Sequence, residues 1–176
     1  AMASPTEEGF DSKAFEDELG GIELERNEKG QILAPNGEVS NIQNERLAKT
    51  IRSKNFKDWF DRSKTVDENG EPRIFYHGTT SNFESFKNFA KEGYRLGTYF
   101  AFSPNYASDY GTQVIPVFLK ANSLAAIPLE FTTLEQDRNL TEQVRQFAKE
   151  KKVEGIVDSR TDLIEVGVNR EIIVFN

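Results

Sequence analysis

The chain has 176 residues, a net charge of −7 from 29 acidic and 22 basic side chains, no cysteine and one histidine. A single domain is the default at this length. The missing cysteines exclude a disulfide framework, a thiolate nucleophile and a cysteine-held zinc, and one histidine argues against a transition-metal site, so no metal is expected. The acidic balance works against standing association with nucleic acid, and no apolar run approaches the roughly 20 residues of a membrane span, so a soluble protein is expected.

Ala1 to Ala3 reads as a cloning remnant rather than a signal peptide. Residues 1–20 form an acidic segment, with Glu7, Glu8, Asp11, Glu16, Asp17 and Glu18 against few apolar partners, expected loose or as one short helix. Residues 21–176 are expected to form one domain. Its first stretch, Gly21 to Ser40, is punctuated by Asn27-Glu28-Lys29-Gly30 and Pro35-Asn36-Gly37 around Ile32-Leu33, which predicts an irregular or hairpin-like arm. Helical spacing starts after Asn41 with Leu47 and Ile51, and resumes with Phe56, Trp59 and Phe60 at i, i+3, i+4, an aromatic stripe of the kind that fills a core. Asp67-Glu68-Asn69-Gly70 then turns the chain into a strand.

That strand carries the only histidine, in Ile74-Phe75-Tyr76-His77-Gly78-Thr79-Thr80, where the glycine lets another group approach the backbone closely. A second motif, Gly97-Thr98-Tyr99-Phe100-Ala101-Phe102, reads as a strand. It is followed by a helix with Ser103 as cap, Pro104 at the first position and Gly111 as stop. Tyr99 on the strand and Tyr110 on the helix can then face each other across a corner, a slot suited to one flat ring. Gln113 to Lys120 predicts a strand that Pro116 assigns to an edge or a bulge. Thr141 is expected to cap a helix through about Lys152 with Val144, Phe147 and Ala148 inward, its terminal lysines solvated, and Val153 to Asp158 to form another strand. In Glu171-Ile172-Ile173-Val174-Phe175 both alternating faces are apolar, which predicts a buried strand with a carboxylate at its entrance. Such a carboxylate sits at a solvent-facing strand end or is aimed into a cleft. Short strands and helices in this order suit an α+β fold with two small packed sheets and a cleft between them.

Taken together, the three motifs resemble the ADP-ribosyltransferases of the branch related to poly(ADP-ribose) polymerase and diphtheria toxin. Their signature is His, Tyr and Glu on three separate strands. His77-Gly78-Thr79 matches the first motif and Gly97-Thr98-Tyr99-Phe100-Ala101 the second, the eleven-residue interval from Tyr99 to Tyr110 equals that between the two nicotinamide-stacking tyrosines of the polymerases, and Glu171-Ile172-Ile173-Val174-Phe175 matches the third. The run from Phe56 through Trp59-Phe60 and Ser63 to Pro72 into Tyr76-His77-Gly78-Thr79 looks more narrowly like the transferase domains of phage and prophage polyvalent proteins. The resemblance covers about Pro35 to Phe175.

The resemblance implies a split pair of small β-sheets with flanking helices and an NAD cleft between them. It implies NAD as co-substrate, Glu171 as the catalytic carboxylate, and His77 and Tyr99 beside it. His77 would hold the adenosine ribose, Gly78 the nicotinamide amide, and Tyr99 and Tyr110 the two faces of the nicotinamide ring. Thr79, Ser81 and Asn82 would partner ribose or phosphate. The implied activity is transfer of a single ADP-ribose to a macromolecule, more readily a protein than a nucleic acid. The implied setting is a bacterial or phage effector or toxin, acting in the cytoplasm or delivered into that of a host, with a neutralising antitoxin or immunity partner. Two departures stand out. The serine that holds the nicotinamide amide in the polymerases is replaced by Ala107, with Ser108 next to it as a substitute, and Asn169 stands where arginine-modifying relatives carry Glu or Gln. An NAD glycohydrolase, an RNA 2′-phosphotransferase using Lys87 and Arg95, and a catalytically silent NAD-binding or interaction module remain as alternatives.

Overall fold

A computed structural model describes residues 11–80, 96–128, 131–159 and 171–175 of the chain. The chain divides into two compact units at the Arg73–Ile74 boundary.

In the first unit, helix α1 (Ser12–Gly20) is capped by Asp11, whose side chain accepts from the Ala14 N–H, so the acidic front is helical from Ser12. Helices α2 (Glu45–Arg52) and α3 (Lys54–Phe60) are capped by Asn44 and Ser53, and Ser53 also ends α2. The aromatic stripe packs on itself, with the Phe56 and Phe60 rings stacked at 5.5 Å and Trp59 edge-on to Phe56. The arm between α1 and α2 is irregular, held by isolated bridges Arg26↔Ile32 and Leu33↔Val39. A buried carboxylate pins it. Glu71 accepts from Ser40 Oγ at 2.6 Å and pairs with Arg52 at 3.1 Å, while Arg52 also donates to the Leu33 carbonyl. Burying that charge is tolerable because both partners are in place. The expected turn after Val66 is present, with Asp67 Oδ1 accepting from the Asn69 and Glu71 N–H groups.

The second unit is an α+β arrangement around one six-stranded sheet in the order β3-β1-β2-β6-β5-β4. Its strands are β1 (Ile74–Thr79), β2 (Thr98–Ala101), β3 (Gln113–Phe118), β4 (Leu124–Ile127), β5 (Gly155–Asp158) and β6 (Glu171–Val174). All neighbours are antiparallel except β4 and β5. The α+β class is as expected, but the two sheets anticipated from the sequence are continuous. The join is thin: β1 and β2 are registered at one pair, Tyr76↔Ala101, whereas β1 and β3 share six pairs and β2 and β6 share four. The division sought in the sequence is therefore a seam within one sheet.

β3 is an edge strand, which accommodates Pro116. β6 is central and buried along its length, as its two apolar faces predict. Helices α5 (Phe131–Gln136) and α6 (Arg138–Lys151) cover one face of the sheet, where Phe131, Leu134 and Val144 pack with Leu96, Ile156 and Ile173. Two details of α6 differ from the sequence reading. Asp137 is the cap, accepting from the Asn139 and Leu140 N–H groups, while Thr141 lies inside the helix and donates its buried hydroxyl to the Leu134 carbonyl at 2.7 Å. Phe147, expected inward, is 42 % exposed on the flank of the Thr141, Val144 and Ala148 stripe.

Candidate active site

Glu171 opens the central strand and is buried, at 4 % exposure. Its neighbour across the β2–β6 ladder is Ala101, and Tyr99 lies opposite Ile173. Residues two apart on a strand share a face, so Tyr99, Ala101, Glu171 and Ile173 line one side of the sheet, with Tyr99 the diagonal neighbour of Glu171. Ala101 puts only a methyl group beside the carboxylate, and Tyr110 donates its hydroxyl to Glu171 Oε1 at 2.5 Å. A carboxylate out of water needs such a donor.

The corner that delivers Tyr110 is built from local signals. Ser103 caps helix α4 (Pro104–Ala107) by accepting from the Tyr106 N–H, Pro104 takes the first position, and the chain tightens into a 3-10 turn over Ser108–Tyr110 before Gly111. Tyr106 and Tyr110, four apart, meet edge-on at 5.5 Å with hydroxyls 3.1 Å apart. This corner sits directly on β1. A Cβ at Gly78 would fall 1.8 Å from the Ala107 carbonyl oxygen and 3.2 Å from Tyr110 Cβ. The close approach that glycine permits here is thus by Ala107, whose buried position fixes where Tyr110 stands. Half of Tyr110 is exposed, but its hydroxyl end is desolvated against Glu171. Burial first, and then the bond to Glu171, push the phenol far above its ordinary value, so it remains a protonated donor.

His77 reaches across the seam, its Nδ1 lying 2.8 Å from the Tyr99 carbonyl oxygen. A carbonyl only accepts, so Nδ1 carries the proton, and in the neutral imidazole Nε2 is the accepting nitrogen. The ring leans on Phe100, with centroids 5.5 Å apart at 56°. Tyr99 makes an edge contact with Phe131 at 5.9 Å, which ties it to the core.

Gly78, Tyr99, Tyr110 and Glu171 are therefore brought to one side of the sheet by β1, β2, β6 and the corner between β2 and β3, whereas His77, next to Tyr76 and with its ring against Phe100, alternates to the other face and is tied to the group through the Tyr99 carbonyl. Thr79 ends β1 opposite Gln113. Ser108 is exposed and donates its hydroxyl to the Asn105 carbonyl at 2.5 Å, so it is turned to its own helix rather than joined to the carboxylate. Ser81, Asn82, Lys87, Arg95 and Asn169 lie outside the described residues. Two residues of the arrangement were not singled out from the sequence. Tyr106 could have been found from its spacing of four before Tyr110, and Ala101 from its place opposite the glutamate once the strands are paired. Among the described residues no group of three or more acidic, histidine or cysteine side chains could hold a metal ion, and no helix is long and apolar enough to cross a membrane.

Comparison with known proteins gives one family match. The model of the family described as ADP-ribosyltransferase in polyvalent proteins matches residues 67–172, more than half of the chain and the whole span from His77 to Glu171. No curated protein and no solved structure matches.

Proposed function

The chain belongs to the ADP-ribosyltransferases of polyvalent proteins, and from that premise we propose that it moves ADP-ribose from NAD to a macromolecular acceptor and releases nicotinamide. The observation that supports this most directly is the buried Glu171 carboxylate, which lies on one sheet face with Tyr99 and holds the Tyr110 hydroxyl.

The chemistry follows from charge. As the bond between the nicotinamide nitrogen and the ribose carbon breaks, its electron pair stays with the ring, which leaves as neutral nicotinamide. Positive charge then builds on the ribose as an oxocarbenium-like centre. A fixed negative charge in a water-poor site is the strongest available stabiliser of that centre. Glu171 supplies it, accepting a hydrogen bond from the nicotinamide-ribose 2′-hydroxyl. The acceptor forms the new bond to the ribose carbon and gives up a proton, which Glu171 or water takes. Tyr99 and Tyr110 contribute aromatic faces for the nicotinamide ring. His77, with Nδ1 committed to the Tyr99 carbonyl, offers the geometry of a ribose-hydroxyl acceptor at Nε2 rather than that of a general base. With a net charge of −7, the protein favours a protein acceptor over a polyanion. A toxin or effector role with a neutralising partner fits the polyvalent-protein context.

The test is release of free nicotinamide from NAD, measured with the protein alone and with cell lysate. Release that requires lysate supports transfer to an acceptor. Release without it indicates NAD hydrolysis, and none under either condition overturns the enzyme reading in favour of a silent NAD-binding module. Glu171→Gln should retain NAD affinity while turnover falls by at least about a hundredfold, the scale of losing one preorganised charge. Turnover near that of the unaltered protein would remove Glu171 from the chemistry.

A further inference from the structure

Tyr106 has no role in the transfer as described, yet its hydroxyl lies 3.1 Å from that of Tyr110. The direction of this bond follows from its neighbours. An ionised carboxylate can only accept, so the single proton of Tyr110 is committed to Glu171 Oε1 at 2.5 Å. The Tyr106 hydroxyl must then donate to the Tyr110 oxygen. Three groups make one directed chain from Tyr106 through Tyr110 to the carboxylate, and each bond in such a chain strengthens the next. The hydroxyl of a tyrosine lies in the plane of its ring, so Tyr110 can keep this bond while presenting a ring face to a ligand.

We infer that Tyr106 is a positioning residue that acts through Tyr110 to keep the Glu171 carboxylate ionised and aimed. The inference rests on the proposed function for its consequence in turnover, but not for the hydrogen-bond chain itself. Around Glu171 the neighbouring described elements carry Tyr76 on β1, in the row of Ala101, His77 and Tyr99 across the seam, and Asp158 on β5, one position past the Val157↔Ile172 pair. None of them is altered by Tyr106→Phe, which also keeps the ring and its edge contact with Tyr110.

The first readout needs neither NAD nor turnover. In ¹³C NMR titrations of the ligand-free protein, the Glu171 carboxyl should titrate about 0.2 to 0.6 unit higher in Tyr106→Phe. That is the size expected when a charge-assisted bond loses the fraction of its strength lent by a neighbour. In a Tyr110→Phe background the same substitution should add nothing, because the path to Glu171 is already cut. An unshifted Glu171, or an equal shift in both backgrounds, overturns the inference. Should Tyr106→Phe fail to fold, the unaltered protein decides: the Cζ resonance of Tyr106 must respond as Glu171 is protonated, and an indifferent resonance overturns the inference. In turnover, the acid limb of the kcat/KM profile should move to higher pH with KM for NAD unchanged. On that acid limb kcat should fall by up to about threefold, the equivalent of half a unit of carboxyl ionisation, and the plateau above it should be unchanged. If the unaltered protein releases no nicotinamide, the transferase reading fails, while the NMR titration still judges the relay.

Discussion

Gly78→Ala adds one methyl group at the point where strand β1 meets the corner that carries Tyr110. The new Cβ would stand 1.8 Å from the Ala107 carbonyl oxygen and 2.8 Å from its carbon, both backbone atoms that no rotamer change can move. Restoring an ordinary contact of roughly 3.4 Å requires a displacement of about 1.6 Å. Tyr110 Cβ, at 3.2 Å, is carried by the same short segment. A shift of that size takes the Tyr110 hydroxyl from 2.5 Å to about 4 Å from Glu171 Oε1, beyond hydrogen-bonding distance. Overpacking of this kind costs about 1 to 3 kcal/mol, and loss of a bond to a charged group about 1.5 to 3 kcal/mol more where the corner cannot readjust. A combined loss of about 2.5 to 6 kcal/mol against a typical domain stability of about 5 to 15 kcal/mol is large enough to be read directly in denaturation. Misplacement by about 1 Å near a reacting centre costs on the order of a hundredfold in rate. Urea denaturation followed by circular dichroism measures the first effect and nicotinamide release the second. Stability within about 0.5 kcal/mol of the unaltered protein, together with turnover within about twofold, would refute the claim that Gly78 fixes the corner.

Two further substitutions probe the same site. His77→Ala should weaken NAD affinity by about five- to tenfold in calorimetric titration, the worth of one net hydrogen bond, with a smaller effect on the rate at saturating NAD; lost turnover with intact affinity would contradict a ribose-binding role. Tyr110→Phe should change the alkaline stability of the fold. The folded-state phenol is raised above its ordinary value of 10.0 by burial first and then by Glu171, so the unfolded chain releases that proton earlier. The stability contributed is complete below about pH 10 and drains away as the pH rises further. The gap in melting temperature between the unaltered protein and Tyr110→Phe should therefore narrow from about pH 8 to about pH 11, and a constant gap would count against the buried hydroxyl.

How much of this was legible in the sequence depended on how local the cause was. The Ser103 cap, Pro104 and Gly111 bracket the corner because caps and breakers act within a few residues. The two apolar faces of Ile172 to Val174 announced a buried strand, and Pro116 an edge or a bulge, for equally local reasons. The cap of α6 was misplaced because Asp137 and Thr141 are both cap-forming types one turn apart. Thr141 instead finds the Leu134 carbonyl, a partner supplied by the preceding helix. The thin seam between β1 and β2 has no sequence signature, since strand pairing depends on residues far apart in the chain. The same holds for Tyr110 and Glu171, whose bond spans 61 positions. Resemblance supplied their association where periodicity could not.

The seam and the site are one feature of the fold. Glu171 is carried by a strand that shares four pairs with β2 and three with β5, so its backbone is fixed on both sides. His77 and Gly78 belong to the β3–β1 side, which is registered with that block at a single residue pair and also touches it through the imidazole of His77, on the Tyr99 carbonyl and against the Phe100 ring. A side chain thus bridges the strands where the register pairs stop. The corner closes the arrangement from above, resting on Gly78 while its tyrosine rests on Glu171. One methyl group at Gly78 and one hydroxyl at Tyr110 therefore act on the same coordinate, the distance between the two sides of the seam. That coupling lets the fold bury a carboxylate on β6 with the donor that its burial demands.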